Sequence, residues 1–325
     1  QPLLQGEVSF VEASWKNQPL DSIVGRFGYA NQRFEFATVM PEYLQVAAAV
    51  PFPTTPGTND RATLNLNIGT EATKLLSIFT GGQVEWAGGE MGVQLTASTT
   101  VDLEADDPVA ELLRTLEADG TIAFAEASVK AAALEAPLTL NGAIALDPST
   151  IRVVDLQGML GGGTIAISGE LPTLYPRSVE QPLTVALSGD KWQIPGLFKG
   201  KVGGDIRVTG AAIAPIVSGG VEVAEGRLIA PVGGGTTTAA APVENLAENW
   251  ADAPFLPEFD RFRVRIGKNF RVVREPFANV RLQGVVTVDG TLDNLQPNGR
   301  IELTRGVIRL LDTRFFIPRN RPQTV

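Results

Sequence analysis

The chain has 325 residues, of which 44% are hydrophobic and 19% charged, and its formal net charge is −9. This length and apolar content are enough to bury extensive surface, which excludes an intrinsically disordered protein. Cysteine and histidine are both absent, which removes disulfides, thiolate chemistry and the commonest acid–base and metal-ligand side chain. We therefore expect neither an enzyme nor a bound cofactor or metal.

Charge is distributed unevenly along the chain. From Arg261 onward there are 13 Lys and Arg against 5 Asp and Glu, whereas residues 1–260 hold 14 against 31. A locally basic surface suits anionic partners such as lipid headgroups, and the alternative is a set of solvated arginines on the outer face of strands. We expect no nucleic-acid partner.

Strand patterns dominate the first third of the chain, whose first residues enter directly into one, as in a segment of a longer protein. Apolar and polar residues alternate through residues 3–53, a Pro- and Gly-rich loop covers 51–60, and ATLNLNIG at 62–69 is a further strand. Short amphipathic helices are predicted over 71–79, with Thr70 as a cap, and over 109–118. We expect both helices to cover an end or an edge of a sheet.

From residue 133 onward one strand pattern follows another. Gly161, Gly162 and Gly163 predict a turn rather than a phosphate cradle, because no GK[ST] follows and no helix begins there. Residues 232–242 (VGGGTTTAAAP) are of low complexity and predict a flexible loop. Runs of 18 or more apolar residues are absent, so no helix that spans a membrane is predicted.

An internal repeat organises this pattern. Residues 219–228 (GGVEVAEGRL) recur as residues 299–308 (GRIELTRGVI), and the same offset of 80 residues relates 206–210 (IRVTG) to 286–290 (VTVDG). Looser copies lie at 6–15, 82–91 and 120–129. Repetition of this kind is typical of folds built from stacked supersecondary units.

Each copy of the repeat predicts a strand with one apolar face. Val221 and Val223 fall on one side at a period of two, and Glu222 falls on the other. The second glycine of each copy marks a bend, a bulge or a tight turn. The apolar positions are core in an ordinary protein and the lining of a groove in the alternative interpretation. They are Val8, Phe10, Val84, Trp86, Ile122, Phe124, Val221, Val223, Leu228, Ile301, Leu303 and Ile308.

These patterns predict an all-β fold. The apolar faces need burial, and few short helices are available to cover them, so the sheet has to fold over on itself. We predict one continuous segment over residues 1–325, an elongated, curved, U-shaped sheet (a β-taco or trough) with an apolar interior. Its filling is either side chains or lipid acyl chains.

The repeat at 206–228 and 286–308, followed by Phe315 and Phe316, resembles the C-terminal region of the TamB family. That family is related to the AsmA-like and bridge-like lipid-transfer proteins and to the plastid protein-import factor of the inner envelope, and the loop at 232–242 is similar to that of cyanobacterial members.

The resemblance implies the periplasmic part of an inner-membrane-anchored, envelope-spanning protein. In such a protein an apolar groove carries phospholipid acyl chains between the inner and outer membranes and supports outer-membrane biogenesis. It also implies a TamA-type outer-membrane barrel as partner, with membrane contact through parts outside this segment.

Two other functions compete with lipid transfer. A scaffold or chaperone for outer-membrane protein assembly would present sheet edges to outer-membrane strands. A right-handed β-helix acting on polysaccharide would use a carboxylate pair, but the irregular strand spacing counts against it. The candidate carboxylates are Asp106, Asp107, Asp252, Glu258 and Asp260.

Overall fold

The computed structural model of the chain describes part of its length. The described residues are 4–11, 14, 15, 18, 19, 21–52, 61–73, 77, 84–101, 115–131, 137–194, 196–229, 257–291, 294–310, 313–317, 323 and 324. The chain divides into two compact units, one of residues 1–132 and 139–156 and one of residues 133–138 and 157–325.

The first unit is built of strands joined mainly by short turns. Its strands are β1 (Leu4–Phe10), β2 (Ser14–Trp15), β3 (Gln18–Pro19), β4 (Ile23–Ala30), β5 (Arg33–Met40), β6 (Leu44–Pro51), β7 (Arg61–Ile68), β8 (Val84–Thr100), β9 (Glu117–Ala131) and nearly all of β10 (Leu138–Asp147). β1 pairs antiparallel with β4, and strands β4 to β9 pair antiparallel in order, ending with β8 and β9. β2 and β3 form a separate two-stranded sheet.

Strand β11 (Thr150–Leu160) begins in the first unit and ends in the second. The remaining strands are β12 (Gly163–Pro172), β13 (Leu183–Ile194), β14 (Phe198–Ala211), β15 (Ala214–Ile229), β16 (Glu258–Arg274), β17 (Ala278–Thr291), β18 (Asn294–Leu310), β19 (Thr313–Ile317) and β20 (Gln323–Thr324). Strands β12 to β15 pair antiparallel in order, as do β16 to β19, and β20 also pairs with β18.

Strands β15 and β16 pair in parallel. A parallel pair needs a connection of about a dozen residues or more, because the chain has to return to the starting edge. The segment between them includes the loop predicted at 232–242, and residues 230–256 lie outside the described residues.

The predicted all-β fold class is confirmed. The strand predicted at 62–69 is β7, and Gly161 and Gly162 form the predicted turn between β11 and β12, with φ angles of 56° and 84°. The separate strand patterns FRVRIG at 262–267 and FRVV at 270–273 form one strand, β16, whose register against β17 shifts between Ile266 and Phe270.

The helix predictions hold less well. A short 3-10 helix covers Thr70–Thr73 and Ser77 is α-helical, so the described residues of the first predicted helix are helical. The Thr70 hydroxyl exchanges hydrogen bonds with the backbone of Met91 at 3.0 and 3.1 Å. The second predicted helix, 109–118, is wrong at its end, since Glu117 and Ala118 already belong to β9. Its residues 109–114, like most of 74–83, lie outside the described residues.

The buried core is thin in both units. Its apolar members among the described residues are Ala72, Ala97, Ala127, Val153, Leu156, Leu171, Trp192, Val202, Ala211, Phe270, Val273 and Val280. Most other apolar side chains on the strands are half-buried or exposed, so few of them are fully covered by other described residues.

Candidate functional site

The two close copies of the repeat form hairpins with the same register. In the β14–β15 hairpin Gly204 lies opposite Val221 and Ile206 opposite Gly219. In the β17–β18 hairpin Gly284 lies opposite Ile301 and Val286 opposite Gly299. Residues related by the offset of 80 thus occupy equivalent places in the sheet, and the repeat is structural as well as sequential.

The second glycine of the repeat lies at a β-bulge. The register of β15 against β14 shifts between Ala224 and Arg227, around Gly226, and that of β18 against β17 shifts between Leu303 and Arg305, just before Gly306. The sequence left open whether the second glycine marks a bend, a bulge or a tight turn. The structure shows a bulge.

The looser copy at 120–129 shares this conformation. Glu126 and Glu225 hold the same position in their copies, and both have a φ of 49°. Ala127, at the position of Gly226, is completely buried. The bulge thus accepts alanine as well as glycine at its second small position.

Apolar residues line up across five strands of the second unit. Val202 on β14 lies opposite Val223 on β15, Val223 opposite Ile266 on β16, Ile266 opposite Gly284 on β17, and Gly284 opposite Ile301 on β18. Directly opposed residues share one face of a sheet, so these residues form a continuous apolar row. Val202 is buried, and the others are half-buried.

A similar row crosses the first unit. Leu44 on β6 lies opposite Ile68 on β7, Ile68 opposite Val93 on β8, and Val93 opposite Ile122 on β9. All four are half-buried. Phe124, two residues further along β9, lies opposite Met91.

The sequence-predicted lining residues lie on strands, as follows. Val8 and Phe10 are on β1, Val84 and Trp86 on β8, Ile122 and Phe124 on β9, Val221, Val223 and Leu228 on β15, and Ile301, Leu303 and Ile308 on β18. Phe10 is exposed over 53% of its surface, and the other eleven are half-buried. None is fully buried, so each keeps apolar surface uncovered by the described part of the protein.

The structure also adds residues that the repeat did not single out. Ile266 on β16 lies between the two copies of the repeat, and Ile68 and Val93 extend the row in the first unit. Their signal was the alternation within FRVRIG, ATLNLNIG and MGVQLTA, but only the register places them beside the repeat positions.

Open grooves lie on the opposite, polar face. One of about 1120 Å³ crosses β14, β15 and β16 in the second unit, and one of about 660 Å³ crosses β5 to β9 in the first. The charged side chains of the larger groove are Lys201, Asp205, Arg207, Glu222, Asp260, Arg261, Arg263 and Arg265. The two faces therefore differ sharply in chemistry.

Two ion pairs include residues that line the larger groove. Lys201 Nζ lies 2.7 Å from Asp190 Oδ1; this hydrogen bond and the lysine charge lower the pKa of Asp190 and, reciprocally, raise the pKa of Lys201. Arg261 Nε lies 3.0 Å from Asp260 Oδ1, and that hydrogen bond raises the pKa of Arg261.

The carboxylates considered for catalysis are not assembled. Glu258 and Asp260 are exposed at the start of β16, and Asp260 pairs with Arg261; Asp106, Asp107 and Asp252 lie outside the described residues. The described residues contain no cluster of three or more acidic side chains that could hold a metal ion. Nor is any helix in them both long and apolar enough to cross a membrane.

The hairpin repeats have one polar face and one apolar face, and the apolar face is only half-covered. These features define a class of repetitive β-sheet proteins. Residues 154–325, which include both close copies of the repeat, match the TamB C-terminal domain. The match covers more than half of the chain, which therefore belongs to the TamB family, a family of cell-envelope proteins that act in envelope biogenesis and not as enzymes. No curated protein and no solved structure matches the chain.

Proposed function

We propose that this chain is the periplasmic bridge segment of a TamB-like protein and carries phospholipid between the inner and outer membranes. Acyl chains lie along the apolar face of the repeats, and the transfer supports outer-membrane biogenesis. The observation that carries the proposal is the continuous row from Val202 to Ile301, whose members after Val202 are only half-buried.

The energetics favour an acyl chain on such a face. Burying one methylene contributes about 0.8 kcal/mol, so a lipid is held by the length of its chains along the row. No specific pocket for a headgroup is needed, and a lipid can move along the face because neighbouring positions are chemically alike.

The remaining parts of the proposal are based on what is expected of a member of the TamB family. The protein is anchored in the inner membrane, works with a TamA-type outer-membrane barrel, and forms one continuous β-trough segment over residues 1–325. The supports are membership of the TamB family and the equivalence of the repeat hairpins.

The decisive experiment measures bound lipid after a charge is placed on the apolar face. Leu303→Asp on β18 is compared with Asn298→Asp, which adds the same charge to the same strand but on the polar face, opposite Thr287. Native mass spectrometry with lipid extraction of the purified proteins should find phospholipid on the unaltered protein and on Asn298→Asp. We expect Leu303→Asp to lose about tenfold or more in occupancy, because a desolvated carboxylate opposes acyl burial. Val223→Asp should behave in the same way.

Equal lipid occupancy in Leu303→Asp and Asn298→Asp would contradict a lipid path along this face. A lipid-free, well-folded unaltered protein would mean that side chains fill the apolar face, and would favour the scaffold or chaperone function. Circular dichroism of each variant separates lost lipid from lost fold.

A further inference from the structure

Five basic side chains lie in a line across five neighbouring strands. Lys199 on β14 lies opposite Arg227 on β15, Arg227 opposite Arg271 on β16, Arg271 opposite Arg281 on β17, and Arg281 opposite Arg305 on β18. We call this set the cationic row. At about 4.8 Å between strands it extends over roughly 19 Å.

The cationic row is unfavourable for the fold by itself, since like charges directly opposite each other on neighbouring strands destabilise a sheet. Arg281 donates a hydrogen bond to Asn269 at 3.4 Å, but the described residues provide no carboxylate within ion-pair distance of any of the five. By contrast, Lys201, Arg261 and Arg300 on the same strands each pair with an acid. An arrangement that costs stability and is left without counter-charges points to an external anion.

Apolar and aromatic side chains flank the row on β18, β19 and the turn before β17. Phe316 lies opposite Val307, two residues along β18 from Arg305 and therefore on the same face, and it is 71% exposed. Arg309 and Arg314 oppose each other on that face. Phe277, 44% exposed, lies in the turn between β16 and β17 with the Arg274 guanidinium 5.8 Å from its ring centre.

We propose that the cationic row docks this end of the second unit onto the surface of an anionic phospholipid bilayer. The five cations contact headgroup phosphates, and the exposed rings of Phe316 and Phe277 enter the interfacial region. Basic side chains combined with exposed aromatic rings are the composition that binds such surfaces. The contact lies within this segment, in addition to any contact made elsewhere in the protein, and it does not depend on lipid transfer along the apolar face.

The test measures binding to vesicles of phosphatidylcholine with and without phosphatidylglycerol, by co-sedimentation. The unaltered protein should bind the anionic vesicles, and salt should release it, because exposed charges are screened. Each cation removed should weaken binding about fivefold, so Arg227→Gln/Arg271→Gln/Arg305→Gln should lose about a hundredfold.

A matched control removes three cations from the other end of the same sheet. Arg207→Gln/Arg263→Gln/Arg265→Gln changes the net charge equally, on β14 and β16, and should bind vesicles as the unaltered protein does. Equal loss in both triple variants would overturn the proposal in favour of a general charge effect. Undiminished binding in the first triple variant, or no binding by the unaltered protein, would overturn it outright.

Two further measurements keep the result specific. The first triple variant should be at least as resistant to urea as the unaltered protein, because like-charge repulsion is relieved; a clear loss of stability would show a structural role instead. Phe316→Ser should weaken the binding that remains at high salt. Leu303→Asp, which tests lipid transfer, should bind vesicles normally, so failure of one proposal is distinguishable from failure of the other.

Discussion

At the scale of single residues, aromatic rings lie over glycines on the same or a neighbouring strand. A Cβ built on Gly163 would lie 1.0 Å from Trp192 Nε1, and one on Gly189 would lie 2.3 Å from Trp192 Cδ1. Phe27 covers Gly6 and Phe36 covers Gly25 in the same manner. In a thin core, a large ring over a glycine buries apolar area that the glycine cannot supply itself.

Gly163→Ala should therefore destabilise the protein. The new methyl group displaces the buried ring of Trp192 and its 3.2 Å hydrogen bond from Nε1 to the Ser188 carbonyl, an overpacking cost of about 1–3 kcal/mol. Urea unfolding followed by tryptophan fluorescence measures it. Gly203→Ala is the control, because the nearest atom to its Cβ is 3.8 Å away; equal midpoints for the two variants would contradict the packing argument.

The Asp190–Lys201 pair should make stability depend on pH. Because the folded-state pKa of Asp190 is lowered, its contribution is present above the unfolded pKa and is lost as the pH falls through the folded pKa. The raised pKa of Lys201 makes the lysine contribution disappear only at alkaline pH. Asp190→Asn should thus lower the urea midpoint at neutral pH and leave it unchanged at a pH below the folded-state pKa of Asp190. A midpoint difference that persists in acid would show that the loss is not electrostatic.

At the scale of elements, the repeat hairpins share their register and also a glycine with a positive φ angle at the same position. Gly204 has a φ of 157° and its Cβ would lie 2.3 Å from the Gly220 carbonyl oxygen; Gly284 has a φ of 153° and its Cβ would lie 2.1 Å from that of Arg300. The close strand approach at this point of each hairpin is possible only without a side chain.

Gly204→Ala and Gly284→Ala should be equally harmful, by about 1–3 kcal/mol each, because they occupy equivalent places in the two hairpins. Urea midpoints of both variants measure the effect. A large loss in only one of them would mean that the hairpins are not equivalent in the folded protein.

The sequence predicted elements unevenly, for a physical reason. The strands follow from the alternation of apolar and polar residues, which is local. The local sequence predicts a helix that continues to residue 118, but the first residues of β9 pair with β8. Tertiary pairing overrides local propensity there. Tertiary contact likewise brings the Thr70 hydroxyl to the backbone of Met91 on β8, which the local sequence does not predict.

At the scale of the whole molecule, both units leave apolar surface half-covered. The rows through Ile122 and Val223 belong to different units, and apart from the buried Val202 all their members are half-buried. In an ordinary soluble protein such residues are buried in a core, and the proposed lipid path accounts for the partial cover of these rows.

Phospholipid should therefore stabilise the protein by mass action. At a free lipid concentration about a hundredfold above the dissociation constant, the gain is about 2.7 kcal/mol, which should appear as a raised Tm in differential scanning calorimetry. Lipid-extracted protein should bind an apolar fluorescent dye while keeping its β-sheet circular dichroism, and lipid should displace the dye. A lipid-independent Tm with no dye binding would favour side chains as the filling.

The sequence alone determined the strands, their apolar faces and the repeat, because alternation at a period of two and recurrence at a fixed offset are properties of the chain itself. It could not determine which residues of different strands lie opposite one another. β16 follows a connection of unpredicted path and joins β15 in parallel, so no hairpin turn sets its register. Only tertiary pairing brings Arg227, Arg271 and Arg305 into one line and places Ile266 between the two copies of the repeat.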